Sequence, residues 1–138
     1  MQLPDRVPGL KWITILWALY AVIWALLESG LWPTILLAVL SGIVILGHLA
    51  NRVLCGRKMA LGIWLLSAAV LGALLGLGSA LLTVGLMAVK TGLHAHGPEF
   101  SALEINWVIQ QIPFWTLAGL LAGLGLGLLL KAVSAKID

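Results

Sequence analysis

Charge is what this sequence has least of. Asp, Glu, Lys and Arg together make up 9% of its 138 residues, where a soluble domain carries about 25%. Cysteine is limited to Cys55, which excludes a disulfide within the chain. No carboxylate interrupts the long apolar runs, so the paired acids that proton coupling would use are missing. There is no phosphate loop, and no Ser/His/Asp or Cys/His set that could meet at one membrane depth for nucleophilic catalysis. The sequence reads as that of a protein that is not an enzyme.

What is present is hydrophobic. Apolar residues make up 62% of the chain, and its mean hydropathy is +1.11. A chain this short is mostly surface when folded, so a soluble fold could not hide that much apolar area. The lipid bilayer is therefore its first partner. A net charge of +3 and a pI near 9.4 invite a nucleic-acid reading. The basic residues stand beside the apolar runs, however, where they would meet phospholipid headgroups, and no nucleic-acid partner is expected.

A membrane-crossing helix needs about 20 apolar residues. Four segments approach or exceed this, at about 12–28, 33–50, 59–89 and 105–130, with an outer loop at 90–101. The expected fold is all-α: a single membrane domain over 1–138, built as a four-transmembrane-helix bundle. The first run reads as a retained span, because Ala25 to Leu27 is a poor signal-peptide cleavage site. The second opens at Trp32-Pro33-Thr34, where proline suits a first helical turn. The third carries no charge from Met59 to Val89. As a straight helix it would measure about 45 Å, against a hydrocarbon core of about 30 Å. It must tilt, leave the membrane at one end, or bend, and Gly76 and Gly78 are the expected bend. The fourth opens on a capping box in which Ser101 caps and Glu104 reaches back. Pro113 removes one backbone hydrogen bond further along, which predicts a kink with Gln110 or Gln111 near the freed carbonyls.

Orientation follows from the short charged flanks. With four spans, Arg6, Lys11, Arg52, Arg57, Lys58, Lys131 and Lys136 fall on one side, and only Lys90 on the other, with Glu28, Glu99 and Glu104. Excess Lys and Arg mark the cytoplasmic side. Both termini are therefore expected in the cytoplasm, with the protein in a bacterial cytoplasmic membrane. The same bias argues against insertion in two opposite orientations. Tryptophan favours the headgroup level; Trp32 and Trp107 fall at outer boundaries, and Trp12 and Trp64 near inner ones. Trp17, Tyr20 and Trp24 share one face of the first helix, which suits lipid contact or packing.

Two small-residue stripes are the clearest pattern. Gly119, Gly123 and Gly127 repeat every fourth position in the fourth helix, and Ala68, Gly72, Gly76 and Ala80 do so in the third. Such stripes let helix backbones approach closely in lipid. They could pair with each other inside one chain, form an interface between chains, or line a pore. In the outer loop, His94, His96 and Glu99 have the donor chemistry for zinc or copper; the competing reading is a solvated loop that turns at Gly97-Pro98. His48 lies at the opposite membrane face from both loop histidines. They cannot be the two axial ligands of one haem within a monomer, and His48 is expected to donate a hydrogen bond between helices or to reach the interface.

In size and number of spans the chain resembles the small four-helix multidrug exporters. It lacks the carboxylate in the middle of the first helix that their activity needs, and its charge bias opposes their dual insertion. The expected function is helix–helix assembly, with the protein itself or with another membrane protein, as a homo-oligomer or an accessory subunit. The alternative is a small channel or transporter for a metal ion or a neutral solute.

Overall fold

A computed structural model describes residues 6–7, 9–27, 30–93 and 99–134. It is all-helical, with α1 at Leu10–Leu26, α2 at Leu31–Val53, α3 at Leu61–Leu93 and α4 at Ala102–Ser134. No strand occurs among the described residues. Three of the helices, α2, α3 and α4, are long and apolar enough to cross a membrane. The first is equally apolar but only 17 residues long.

Glycine sets two of the helix boundaries. Gly9 precedes α1 at φ 73°, and its carbonyl accepts the first helical bond, from the Ile13 N–H. Gly56 follows α2 at φ 73° in the short turn to α3. A residue with a Cβ strains in that left-handed region.

Several boundaries differ from the sequence reading. The third helix does not stop before Lys90; it continues to Leu93 and carries Lys90 inside its last turn. The connector is correspondingly shorter than 90–101. The third helix is also unbroken through Gly76 and Gly78. Gly76 is pressed against the backbone of α4 at Trp115, and nothing approaches Gly78 within 4 Å. The glycine expected to bend the helix thus serves a close approach. The fourth helix likewise runs through Pro113 as one element, and Thr116 Oγ1 donates to the Ile112 carbonyl beside it.

The helices alternate in direction and pack in chain order: α1 on α2, α2 on α3, and α3 most extensively on α4. Between α2 and α3, Gly42 accepts the Leu75 side chain. The end of the bundle bearing Lys90, Glu99 and Glu104 is closed. Buried Met87, Phe100 and Val108 form a core there, covered by Leu31, Val84 and Ile105. Trp32 and Trp107 meet edge to face at 6.1 Å between ring centroids. At the basic end α2 and α4 stand apart and leave a groove over α3.

Candidate functional site

Ionisable groups within apolar helices are costly and are the first place to look for function. Here that group is Lys90. The sequence places it at a flank, yet it is 0% exposed. Its Nζ donates to the Trp24 carbonyl at 3.0 Å and to the Leu27 carbonyl at 2.7 Å. It stands 3.9 Å from Glu99 Oε2 and 4.6 Å from the centroid of the Trp24 ring. The last turn of α1 has no basic residue of its own. The last carbonyls of a helix lack partners and carry its negative pole. Lys90 satisfies both needs from α3. An ammonium has three protons, and two carbonyls and a carboxylate surround this one. The arrangement is a clasp, and it explains why a lysine can be buried here. The signal for it was α1 ending without a cation of its own.

The clasp bears on the expected metal site. Glu99, one of its three proposed ligands, faces Lys90. His94 and His96 lie outside the described residues. Among the described residues, no group of three or more His, Cys, Asp or Glu side chains could hold a metal ion.

The two small-residue stripes face each other. A Cβ on Gly72 would strike the carbonyl of Gly119, and one on Gly119 would strike that of Gly72. A Cβ on Gly76 would strike the Trp115 carbonyl, and one on Gly123 the Ala68 carbonyl. Gly127 is less tight, with Ala68 Cβ 3.0 Å from the same point. Ala80 is fully buried further along α3. Trp64 Nε1 donates to the Gly127 carbonyl at 2.9 Å. The indole expected at a headgroup boundary is therefore buried in this seam.

The second interface, between α1 and α2, gathers the Trp17, Tyr20 and Trp24 face and His48, whose partners the sequence did not identify. Trp17 Nε1 donates to Ser41 Oγ at 2.8 Å, and Trp24 Nε1 to Thr34 Oγ1 at 3.1 Å. Tyr20 donates to the Pro33 carbonyl. Ser41 and Thr34 give their own protons to Leu37 and Gly30, one turn earlier. Their lone pairs are thus left to accept an indole N–H. Thr14 likewise donates to Leu10, and its oxygen lies 3.1 Å from His48 Nε2, within hydrogen-bond distance. Positions 34, 41 and 48 of α2 recur every seventh residue. That spacing, opposite Trp17 and Trp24, was the available signal.

At the start of α4, the Ser101 N–H donates to Glu104 Oε2 at 2.8 Å, and the Glu104 N–H donates to Ser101 Oγ at 3.2 Å. One turn on, exposed Asn106 and Gln110 border a hollow of about 430 Å³ with Leu31, Leu103, Glu104 and Trp107. No hydrogen bond joins Gln110 or Gln111 to the carbonyls near Pro113 among the described residues.

The chain matches no known protein family, no curated protein and no solved structure.

Proposed function

We propose that this chain is a four-span membrane protein that acts without catalysis, by helix–helix assembly, as a homo-oligomer or as an accessory subunit of a membrane complex. The observation that carries this reading is the exposed pair Asn106 and Gln110 on α4. They stand one turn apart beside Trp107 and the hollow. Amide side chains on apolar helices associate by bonding a neighbouring helix. The glycine face of α4 is taken by α3 within the chain, which leaves this outer segment as the surface for a partner. Purification in mild detergent with mass measurement tests it. A discrete oligomer, or a stable complex with another membrane protein, is expected. Asn106→Leu with Gln110→Leu should release it without lowering the melting temperature. A wild-type monomer with no co-purifying protein would overturn the reading. Conductance or solute uptake by purified protein in liposomes would replace it with the channel or transporter.

In the same reading α1 is the fourth span. Its 17 residues give about 25 Å, short of a hydrocarbon core of about 30 Å. Local thinning of the bilayer accommodates such a mismatch. Arg6, Lys11, Arg52, Arg57, Lys58 and Lys131 share one end of the bundle, which this reading puts in the bacterial cytoplasm. Cys55, at that end and partly exposed, reports on it. A membrane-impermeant maleimide should label Cys55 in opened cells only, and labelling of intact cells would reverse the orientation.

A further inference from the structure

We infer that the basic end of the bundle binds one anionic glycerophospholipid, with its phosphate among Arg6, Lys11 and Asn51 and one acyl chain in the groove between α2 and α4. Two adjoining cavities carry this. The first, of about 590 Å³, is bordered by Arg6, Lys11, Trp12, His48 and Asn51. The second, of about 320 Å³, is apolar and runs over α3 between Ile43, Leu46 and Ala50 on one side and Ala122 and Leu126 on the other. Val7 lines both, so the two meet at one residue.

The chemistry of the first cavity selects an anion. Among the described residues, no Asp or Glu borders it. Asn51 Oδ1 accepts the Val7 N–H at 3.0 Å, so the amide keeps its two N–H donors for a ligand. Arg6 and Lys11 add a guanidinium and an ammonium, the groups that hold phosphate. Trp12 is 72% exposed beside them, as suits an indole at headgroup level.

The dimensions of the second cavity select an acyl chain over a helix. Along α4 its lining extends from Gly119 to Leu130. That is about 16 Å of helix, half of a hydrocarbon core of about 30 Å. It is therefore one leaflet deep. Beyond it the Trp32–Trp107 contact joins α2 to α4, so a spanning helix of a second chain could not continue along it.

Purified full-length protein, stripped of lipid, would be titrated by native mass spectrometry with dioleoyl phosphatidylglycerol, dioleoyl phosphatidylcholine or inorganic phosphate. One phosphatidylglycerol should bind more tightly than phosphatidylcholine, and phosphate alone should not bind. Replacing Arg6 and Lys11 by glutamine should weaken phosphatidylglycerol by about thirtyfold, at about fivefold for each cation, and leave phosphatidylcholine unchanged. Ala122→Trp should fill the groove and remove both lipids. Ala50→Leu, a smaller filler on α2, should do the same in part if the tryptophan variant does not fold. Equal binding of the two lipids, binding of phosphate alone, or undiminished binding to either groove variant would each overturn the inference. So would a disulfide between copies of an Ala122→Cys, Cys55→Ala variant. The assembly test uses the opposite end of α4, so either reading can fail without the other.

Discussion

The two halves of this bundle hold their helices together by opposite means. The first and second helices meet through side chains that reach across: two indoles, a phenol and an imidazole, bonded to Ser41, Thr34, the Pro33 carbonyl and Thr14. The third and fourth meet backbone to backbone, at Gly72, Gly76, Gly119 and Gly123, where even a methyl group would collide. In lipid there is no hydrophobic force between apolar helices, so association rests on close van der Waals packing or on hydrogen bonds. Hydrogen bonds predominate in the first half and close packing in the second, where Trp64 adds one bond to the Gly127 carbonyl. The difference teaches where substitution is tolerated. A ladder can lose one rung at a time, whereas a backbone seam opens along its length when one position is filled.

The largest expected effect comes from filling the seam. Gly123→Leu drives a side chain against the Ala68 carbonyl, which cannot rotate away. Overpacking of a core costs about 1–3 kcal/mol, and more where nothing yields, so this variant should fall beyond that range and lose its folded form in detergent. Gly125→Leu, two residues away with nothing within 4 Å, should melt like the wild type. If both behave alike, the seam is not what joins α3 to α4, and the contrast between the halves disappears.

The next effect concerns the clasp that joins the halves. Lys90→Met removes the donor to the Trp24 and Leu27 carbonyls and leaves the Glu99 carboxylate facing an apolar side chain. Breaking a buried ion pair by removing one partner costs about 3–5 kcal/mol. Thermal denaturation should show a loss of that order, with amide exchange rising first at the end of α1. Lys90→Met combined with Glu99→Leu should recover part of it. A single variant as stable as the wild type would mean that water, not Lys90, serves those carbonyls.

Most of the fold was legible because its cause is local. Long apolar runs, Pro33 in a first turn and the Ser101/Glu104 pattern act within a few residues, and periodicity exposes them. The glycine stripes were legible as faces, but three partners remained open for them, since spacing carries no information about what lies opposite. Lys90 was misplaced for a physical reason. A charge that ends an apolar run reads as a flank, and only the carbonyls of another helix, more than sixty residues earlier, make its burial affordable. The ladder is hidden in the sequence because a helical hydroxyl has a ready partner in the carbonyl one turn back. That bond forms, and it is what frees the oxygen to accept a second. The residues at the basic end each have an ordinary surface reading, and only the gap between α2 and α4 unites them.

A smaller effect calibrates these, outside both interfaces. Ser101→Ala removes the oxygen that accepts the Glu104 N–H. Losing such a cap costs about 1 kcal/mol. Amide exchange should quicken from Ala102 to Ile105 with the seam undisturbed. An unchanged pattern would mean that the start of α4 is held by its packing on Phe100 and Val108.

The smallest effect tests the ladder itself, and it calls for a double-mutant cycle because each rung is weak. Trp17→Phe removes the indole N–H but keeps an aromatic ring, and Ser41→Ala removes its acceptor. Hydrogen bonds between membrane helices average about 0.6 kcal/mol and reach about 1.7. The coupling between these two substitutions should lie in that range, since Ser41 still satisfies Leu37 whether or not the indole is present. The His48–Thr14 rung, at the basic end where His48 is exposed, should couple more weakly, because water competes for both groups. The Trp24–Thr34 rung is buried and should couple more strongly. A graded series, rising from the basic end to the clasp, would show that α1 is zipped onto α2 from the closed end of the bundle. Coupling of zero at all three rungs would leave α1 held by Lys90, the Tyr20–Pro33 bond and packing alone, and the first half would then not be a ladder.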